Sequence, residues 1–268
     1  MTGHVLDDAI ALESGGEHLW RGKTSPEYAN FIGPFGGATA AQMLQAVMLH
    51  PQRIGEPVAF TVNFAAAVAD GEFVIEARPA RTNRSSQHWI VRMLQQGQAV
   101  TTATVMTAAR RETWGVAEAA MPEVPAPAEL KRESVRGVSW IQHYDRRFIE
   151  GGVPREWNDQ DSGHSRTRMW LRDVPDRPLD FAALTAMADN FFPRIWLRRA
   201  NRVPVGTVTM TVYFHADSEV LQSTGTGYVL AQAQGQKFRH GYLDQAGLLW
   251  NEAGELLAST TQLMYFKE

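Results

Sequence analysis

Residues 206–215 read "GTVTMTVYFH", and small, polar and apolar side chains alternate along them with the period of two expected of a β-strand whose one face is covered. The centre of this stretch, "MTVYF" at 210–214, is matched by "FTVNF" at 60–64, which sets Phe64 and Phe214 150 residues apart. A second match lies close to the same offset. "GQAVTTATVMT" from Gly97 and "GELLASTTQLM" from Gly254 stand 157 residues apart, and the few additional residues fall where hairpin loops tolerate insertion. The chain is therefore expected to carry one design twice.

A helix is expected upstream of each set of strands. "GGATAAQMLQAVMLH" follows Pro34 and places Ala40, Met43, Leu44 and Val47 on one helical face. "PLDFAALTAMADNFFPRIW" offers Asp180 as an N-cap, an apolar body, and Pro193 near the end of the helix. Between the copies, "VAEAAMPEVPAPAEL" is rich in Ala, Pro and Glu and has no strand or helix period. The expected organisation is a first repeat over 1–115, a connector over 116–137 and a second repeat over 138–268. Each repeat is expected to be α+β, an apolar helix wrapped by a curved antiparallel sheet that covers it.

At 268 residues and 44% hydrophobic content the chain is long enough for a sizeable core. A net charge of −3 provides no basic field for nucleic acid, and no apolar run is long enough to span a bilayer. The first residues lack a basic-then-apolar export signal, so a cytoplasmic location is expected. There is no cysteine, which removes thiolate nucleophiles, thiolate zinc sites and disulfides. The eight histidines show no HExxH or HxxxH spacing, and GxSxG, GxGxxG and Walker-type loops are missing. Neither a metal nor a bound cofactor is expected.

One residue breaks the pattern of the closing strand. In "LASTTQLMYFKE" alternation puts Ala258, Thr260, Gln262, Met264 and Phe266 on one side, so a long amide shares a face with half-buried groups. The 157-residue offset puts Val105 at the matching place in the first copy. Strand geometry alone thus does not demand glutamine there. By the same alternation Thr207, Thr209 and Thr211 share one face of their strand.

Taken in order, "FGGATAAQML", "ADNFFP", "TVTMTVYFH", "NEAGELLASTTQ" and the proline-rich connector resemble tandem hotdog proteins of the acyl-CoA thioesterase II type, over nearly the whole chain; "SWIQHYDRRFIEGG" resembles the first strand of their second hotdog. The resemblance implies a double hotdog fold and hydrolysis of acyl-CoA-like thioesters. It also implies a water-holding trio of Asp, Thr and Gln from the second repeat. These map to Asp189 in "ADNFF", to Thr207, seven residues before the Phe of an aromatic-Phe-His segment, and to Gln262 in "ASTTQ".

The same resemblance puts "RTNRSSQHW", with Arg81, Arg84 and Ser85, near the nucleotide or pantetheine arm; a solvated hairpin end is the other reading. Gly36 and Gly37 at the first helix start would let a substrate approach backbone N–H groups, or would serve a tight turn or close packing. CoA enters only as part of the substrate. Exposed sheet edges in such a fold are usually paired or packed, and a homo-oligomer is expected. The rivals are a non-catalytic acyl-thioester binder and an enoyl-CoA hydratase or dehydratase, which needs an Asp and His pair on one loop. Acyl chain length would depend on Phe191, Phe192 and Trp196.

Overall fold

The computed structural model describes residues 3–134 and 137–268, so the last part of the expected connector, at 135–136, and the first two residues lie outside the described residues. The first repeat contains α1 (Val5–Ala9), β1 (Glu13–Gly16), β2 (Leu19–Lys23), α2 (Gly36–Met48), β3 (Glu56–Phe64), β4 (Glu72–Thr82), β5 (Ser86–Gln95) and β6 (Gln98–Ala108). The second contains β7 (Tyr144–Glu150), β8 (Thr167–Asp173), α3 (Phe181–Ala188), α4 (Arg194–Arg199), β9 (Val205–Phe214), α5 (Ser218–Thr224), β10 (Val229–Gln234), β11 (Phe238–Arg239), β12 (Tyr242–Asn251) and β13 (Leu256–Phe266).

All the strands join one antiparallel sheet, in the order β1-β2-β4-β5-β6-β3-β9-β13-β12-β10-β8-β7, with β11 beside β12. The two repeats meet where β3 pairs with β9, and there Thr61 faces Thr211 with their hydroxyls 2.9 Å apart. These residues are separated by the 150-residue offset of the repeat, so each copy presents the same strand to the other. Joining the copies at this edge turns two exposed strands into interior ones. The other offset holds across the sheet as well. Phe60 pairs with Val105 in the first repeat, as Met210 pairs with Gln262 in the second.

Helices α2 and α3 pack on each other and against the sheet, and both are buried on almost every side. Their Ala-rich sequences suit this, because a helix covered all round needs apolar residues all round and small ones allow close approach. Asp180 caps α3 as expected, accepting from the Ala183 N–H at 2.8 Å. Pro193 departs from expectation. The first helix of that segment ends at Ala188, and Pro193 is the N-cap of a separate helix, α4, since its fixed φ suits a helix start and its missing N–H does not suit an interior. "SWIQH" forms a 3₁₀ turn, with β7 beginning at Tyr144.

The connector is irregular but held down. Trp250 donates its indole N–H to Ala119 O at 3.0 Å and Trp170 donates to Pro125 O at 2.9 Å, while Met121, Val124 and Leu130 pack on the apolar patch that these tryptophans form with Leu230. No helix among the described residues is long and apolar enough to cross a membrane.

Candidate active site

Helix α3 delivers Asp189. The residue is the C-cap, where the helix dipole disfavours a negative charge, and it is about 9% exposed. Two groups from elsewhere compensate. Gln262 on β13 donates its Nε2–H to Asp189 Oδ1 at 2.9 Å, and the Gly37 backbone N–H, in the first turn of α2, also favours the charged carboxylate. Burial outweighs them and pushes the Asp189 carboxyl up to about 7. An acid with that pKa changes protonation state near neutral pH, as a general base must.

The glycines at the α2 start fit this arrangement. A Cβ on Gly36 would lie 2.8 Å from Asp189 Oδ2, and one on Gly37 would lie 2.6 Å from Ala186 O on α3. Gly37 thus permits the close approach of the two helices, and Gly36 keeps the space beside the carboxylate clear. The close-packing reading made from the sequence thus applies at Gly37.

Thr207 sits differently from its expected face. Between Leu263 and Met264 the pairing of β13 with β9 shifts, so that Leu263 faces Thr209 while Met264 faces Thr207, and Val208 is the extra residue of a bulge. The bulge interrupts the alternation. Thr207 therefore lies across from inward-facing Met264, on the side that Gln262 shares, whereas Thr209 lies across from partly exposed Leu263 and donates to Val62 O at 3.0 Å. Thr207 is half-buried and makes no side-chain hydrogen bond among the described residues. Asp189 and Gln262 are thus in direct contact, with Thr207 on the neighbouring strand of the same face.

Arg81 lies near the end of β4, paired with His88 of β5, and Arg84 and Ser85 lie in the turn between the two strands. Both arginines are exposed, Arg81 bonds to Asn83 Oδ1 at 3.2 Å, and none of the three is hydrogen-bonded to Asp189 or Gln262. Phe191 and Phe192, which follow Asp189 and Asn190, are buried, and Trp196 lies on α4.

One inward-facing polar residue, Gln245, escaped the sequence reading, and Thr260 was placed on the inward side without a role. Gln245 on β12 faces Gln262 directly across the strand pair, and Thr260 is the next inward residue along β13. The repeat held a signal for the first. Trp89 faces Val105 as Gln245 faces Gln262, so an amide replaces an indole at matching places. Elsewhere in the second repeat, Asp173 is 2% exposed, faces Tyr144 across β7 and β8, and is pushed up to about 7 by burial, with Arg177 opposing. No set of three or more His, Asp or Glu side chains converges as metal ligands among the described residues.

A sheet of this order wrapped around two packed helices is a double hotdog. A structure from Alicyclobacillus acidocaldarius, described as a conserved protein of unknown function with a hot dog fold, matches at a TM-score of 0.95 and 47% identity over 100% of this chain and 99% of that one. The family model of the acyl-CoA thioesterase C-terminal domain matches residues 118–266 and that of the N-terminal domain matches residues 25–108, and the chain belongs to this acyl-CoA thioesterase family. An acyl-CoA thioesterase II from Mycobacterium marinum shares the fold at a TM-score of 0.79 and 19% identity, over 98% of each chain. The dehydratase domain of PpsC from Mycobacterium tuberculosis shares it more distantly, at a TM-score of 0.58 and 13% identity, over 97% of this chain and 99% of that one. None of the curated proteins matches the chain in sequence.

Proposed function

We propose that the protein hydrolyses acyl-CoA-like thioesters to the free acid and CoA by direct attack of water. The observation that carries this reading is the contact of Gln262 with a buried Asp189 at the start of α2, with the carboxyl at about 7. Asp189 takes a proton from the water as its oxygen bonds to the thioester carbon. Gln262 Oε1, which has no partner among the described residues, accepts from that water and aligns it, and Thr207 supports it from the next strand. The carbonyl oxygen, now an oxyanion, receives the N–H of Gly36, which makes no backbone hydrogen bond among the described residues. The intermediate then collapses: the carbon–sulfur bond breaks, and the leaving thiolate takes the proton held by Asp189.

Arg81, Arg84 and Ser85 are assigned in this proposal to the phosphate-bearing end of CoA, for which an exposed guanidinium pair suits an extended anionic arm. The test is release of free thiol from a panel of acyl-CoAs by the native chain and by Asp189→Asn. Turnover that Asp189→Asn removes is the expected result. If the native chain binds CoA esters and cleaves none of any length, the protein is a binder instead. Loss of the conjugated absorbance of an enoyl-CoA, without thiol release, would make it a hydratase.

A further inference from the structure

The polar groups of the second repeat do not end at Asp189 and Gln262. Gln245 is 1% exposed, and neither its Nε2 nor its Oε1 has a hydrogen-bond partner among the described residues. The same holds for Thr260 Oγ1, at 1% exposure, and for Gln262 Oε1. These residues are neighbours: Gln245 pairs with Gln262, and Thr260 pairs with Gly247, the next inward residue on β12. They face one another without bonding to one another.

Their surroundings are apolar. Along β12 the inward row runs Leu243, Gln245, Gly247, Leu249, and along β13 it runs Met264, Gln262, Thr260, Ala258. Leu243 and Met264 belong to one apolar cluster, with Ile195 and Val203, while Leu249 and Ala258 belong to the main core. The amides and the hydroxyl form a polar band between two apolar clusters. Gly247 lacks a side chain where Phe191 closes in; a Cβ there would come 2.9 Å from Thr260 Cγ2 and 3.4 Å from Phe191 Cε2. The band thus lies under the segment that follows Asp189.

A buried polar atom without a partner costs about 1–3 kcal/mol, and four such atoms together are a large cost unless something that donates and accepts hydrogen bonds pairs with them. The first repeat avoids the cost at the matching place, where Trp89 donates to Thr107 Oγ1 at 3.2 Å. A site built of one amide donor and several acceptors, flanked by apolar walls and beside the reacting carbonyl, suits an acyl chain that is mostly hydrocarbon but has an oxygen close to the thioester.

We infer that Gln245 and Thr260, beside Gln262 whose Oε1 stays with the attacking water, form a subsite for a hydroxyl group carried by the acyl chain within a few carbons of the thioester, so that the enzyme prefers hydroxyacyl thioesters. This rests on the thioesterase reading of the Asp189 site. A site built to hydrogen-bond a substrate group discriminates strongly against the analogue that lacks it.

The experiment compares kcat/KM for straight-chain acyl-CoAs, from short to long, with their 3-hydroxy counterparts, by thiol release. The native protein is expected to favour the hydroxylated member by about tenfold or more, and Gln245→Met, which keeps the length of the side chain and removes its hydrogen bonds, to bring that ratio to about one. Thr260→Val serves as the second variant should Gln245→Met not fold, and is expected to lower the ratio. A native ratio at or below one, or a ratio that either folded variant leaves unchanged, overturns the subsite and leaves hydrolysis standing; the band then holds water only. If no ester is cleaved, hydrolysis fails, and the same pairs are compared as ligands by calorimetry. A hydroxyl preference in binding that Gln245→Met removes still supports the subsite, and equal binding overturns it.

Discussion

In the first repeat β3, β6 and β5 bring Phe60, Val105 and Trp89 into one row; in the second β9, β13 and β12 bring Met210, Gln262 and Gln245 into the same row. The backbone pairing is the same, so the pleat does not choose between a valine and an amide. What differs is the helix above. Helix α2 continues to Met48, while α3 stops at Ala188 and places a carboxylate over the row. The apolar row needs no partners beyond packing, and the polar row is tolerable only with partners for its amides. The second repeat thus accepts a cost in stability at the place where chemistry is proposed.

The largest test removes the carboxylate. Asp189→Asn is expected to lower kcat/KM by about 10²–10⁴-fold, read by thiol release. In the native protein kcat/KM should rise with pH through about 7, because only ionised Asp189 accepts a proton. Stability should move the opposite way. The folded carboxyl holds its proton up to about 7 and the unfolded one loses it near 3.8, so native stability falls as pH rises between these values. At about 1.4 kcal/mol per pKa unit the loss reaches at most about 4 kcal/mol. Asp189→Asn should be free of that dependence, so chemical denaturation at pH 8 and pH 5 should show the variant gaining on the native protein at the higher pH.

Gln262→Val writes the residue of the first repeat into the second. It is expected to keep the fold, since Val105 occupies the matching strand, and to cost about 10²-fold in kcat/KM by removing an aligned amide. It also removes a donor that favours the charged carboxylate, so the rise of kcat/KM with pH should move above its native position. An unchanged pH profile would show that Gln262 does not act on Asp189. The reciprocal change, Val105→Gln, puts an amide between Phe60 and Trp89 with no carboxylate facing it. It should destabilise by about 1–3 kcal/mol in denaturant titrations and leave the pH profile unmoved.

How far the sequence reached differs among these residues. The repeat, the helices and the oddness of Gln262 were readable because alternation and internal repetition are local properties of the chain. The break between α3 and α4 was not, because an apolar run with a proline reads equally as one helix ending or another beginning. Gln245 was obscured by its neighbours. Between Asp244 and Ala246, with glycine at the next inward place, it looks like part of a solvated strand, and only its alignment with Trp89 marks it as buried. The contact of Asp189 with Gln262 spans 73 residues, and no local pattern encodes it.

The smallest effect tests the bulge. Alternation alone makes Thr207, Thr209 and Thr211 equivalent, but the extra residue at Val208 turns Thr207 toward the side of Gln262 and leaves Thr209 bonded to Val62 O, and Thr211 to Thr61, at the junction of the repeats. Valine is nearly isosteric with threonine, so Thr207→Val and Thr209→Val remove one hydroxyl each with little change of shape. Thr207→Val is expected to lower kcat by about tenfold with little change in stability, as loss of one hydrogen bond to the attacking water requires. Thr209→Val is expected to leave kcat alone and to lower stability by about 1 kcal/mol, the usual worth of one intramolecular hydrogen bond. If the two exchange these effects, Thr209 is the threonine on the water and the bulge has no part in aiming it. Equal, small effects from both would mean that Asp189 and Gln262 hold the water without a hydroxyl from β9.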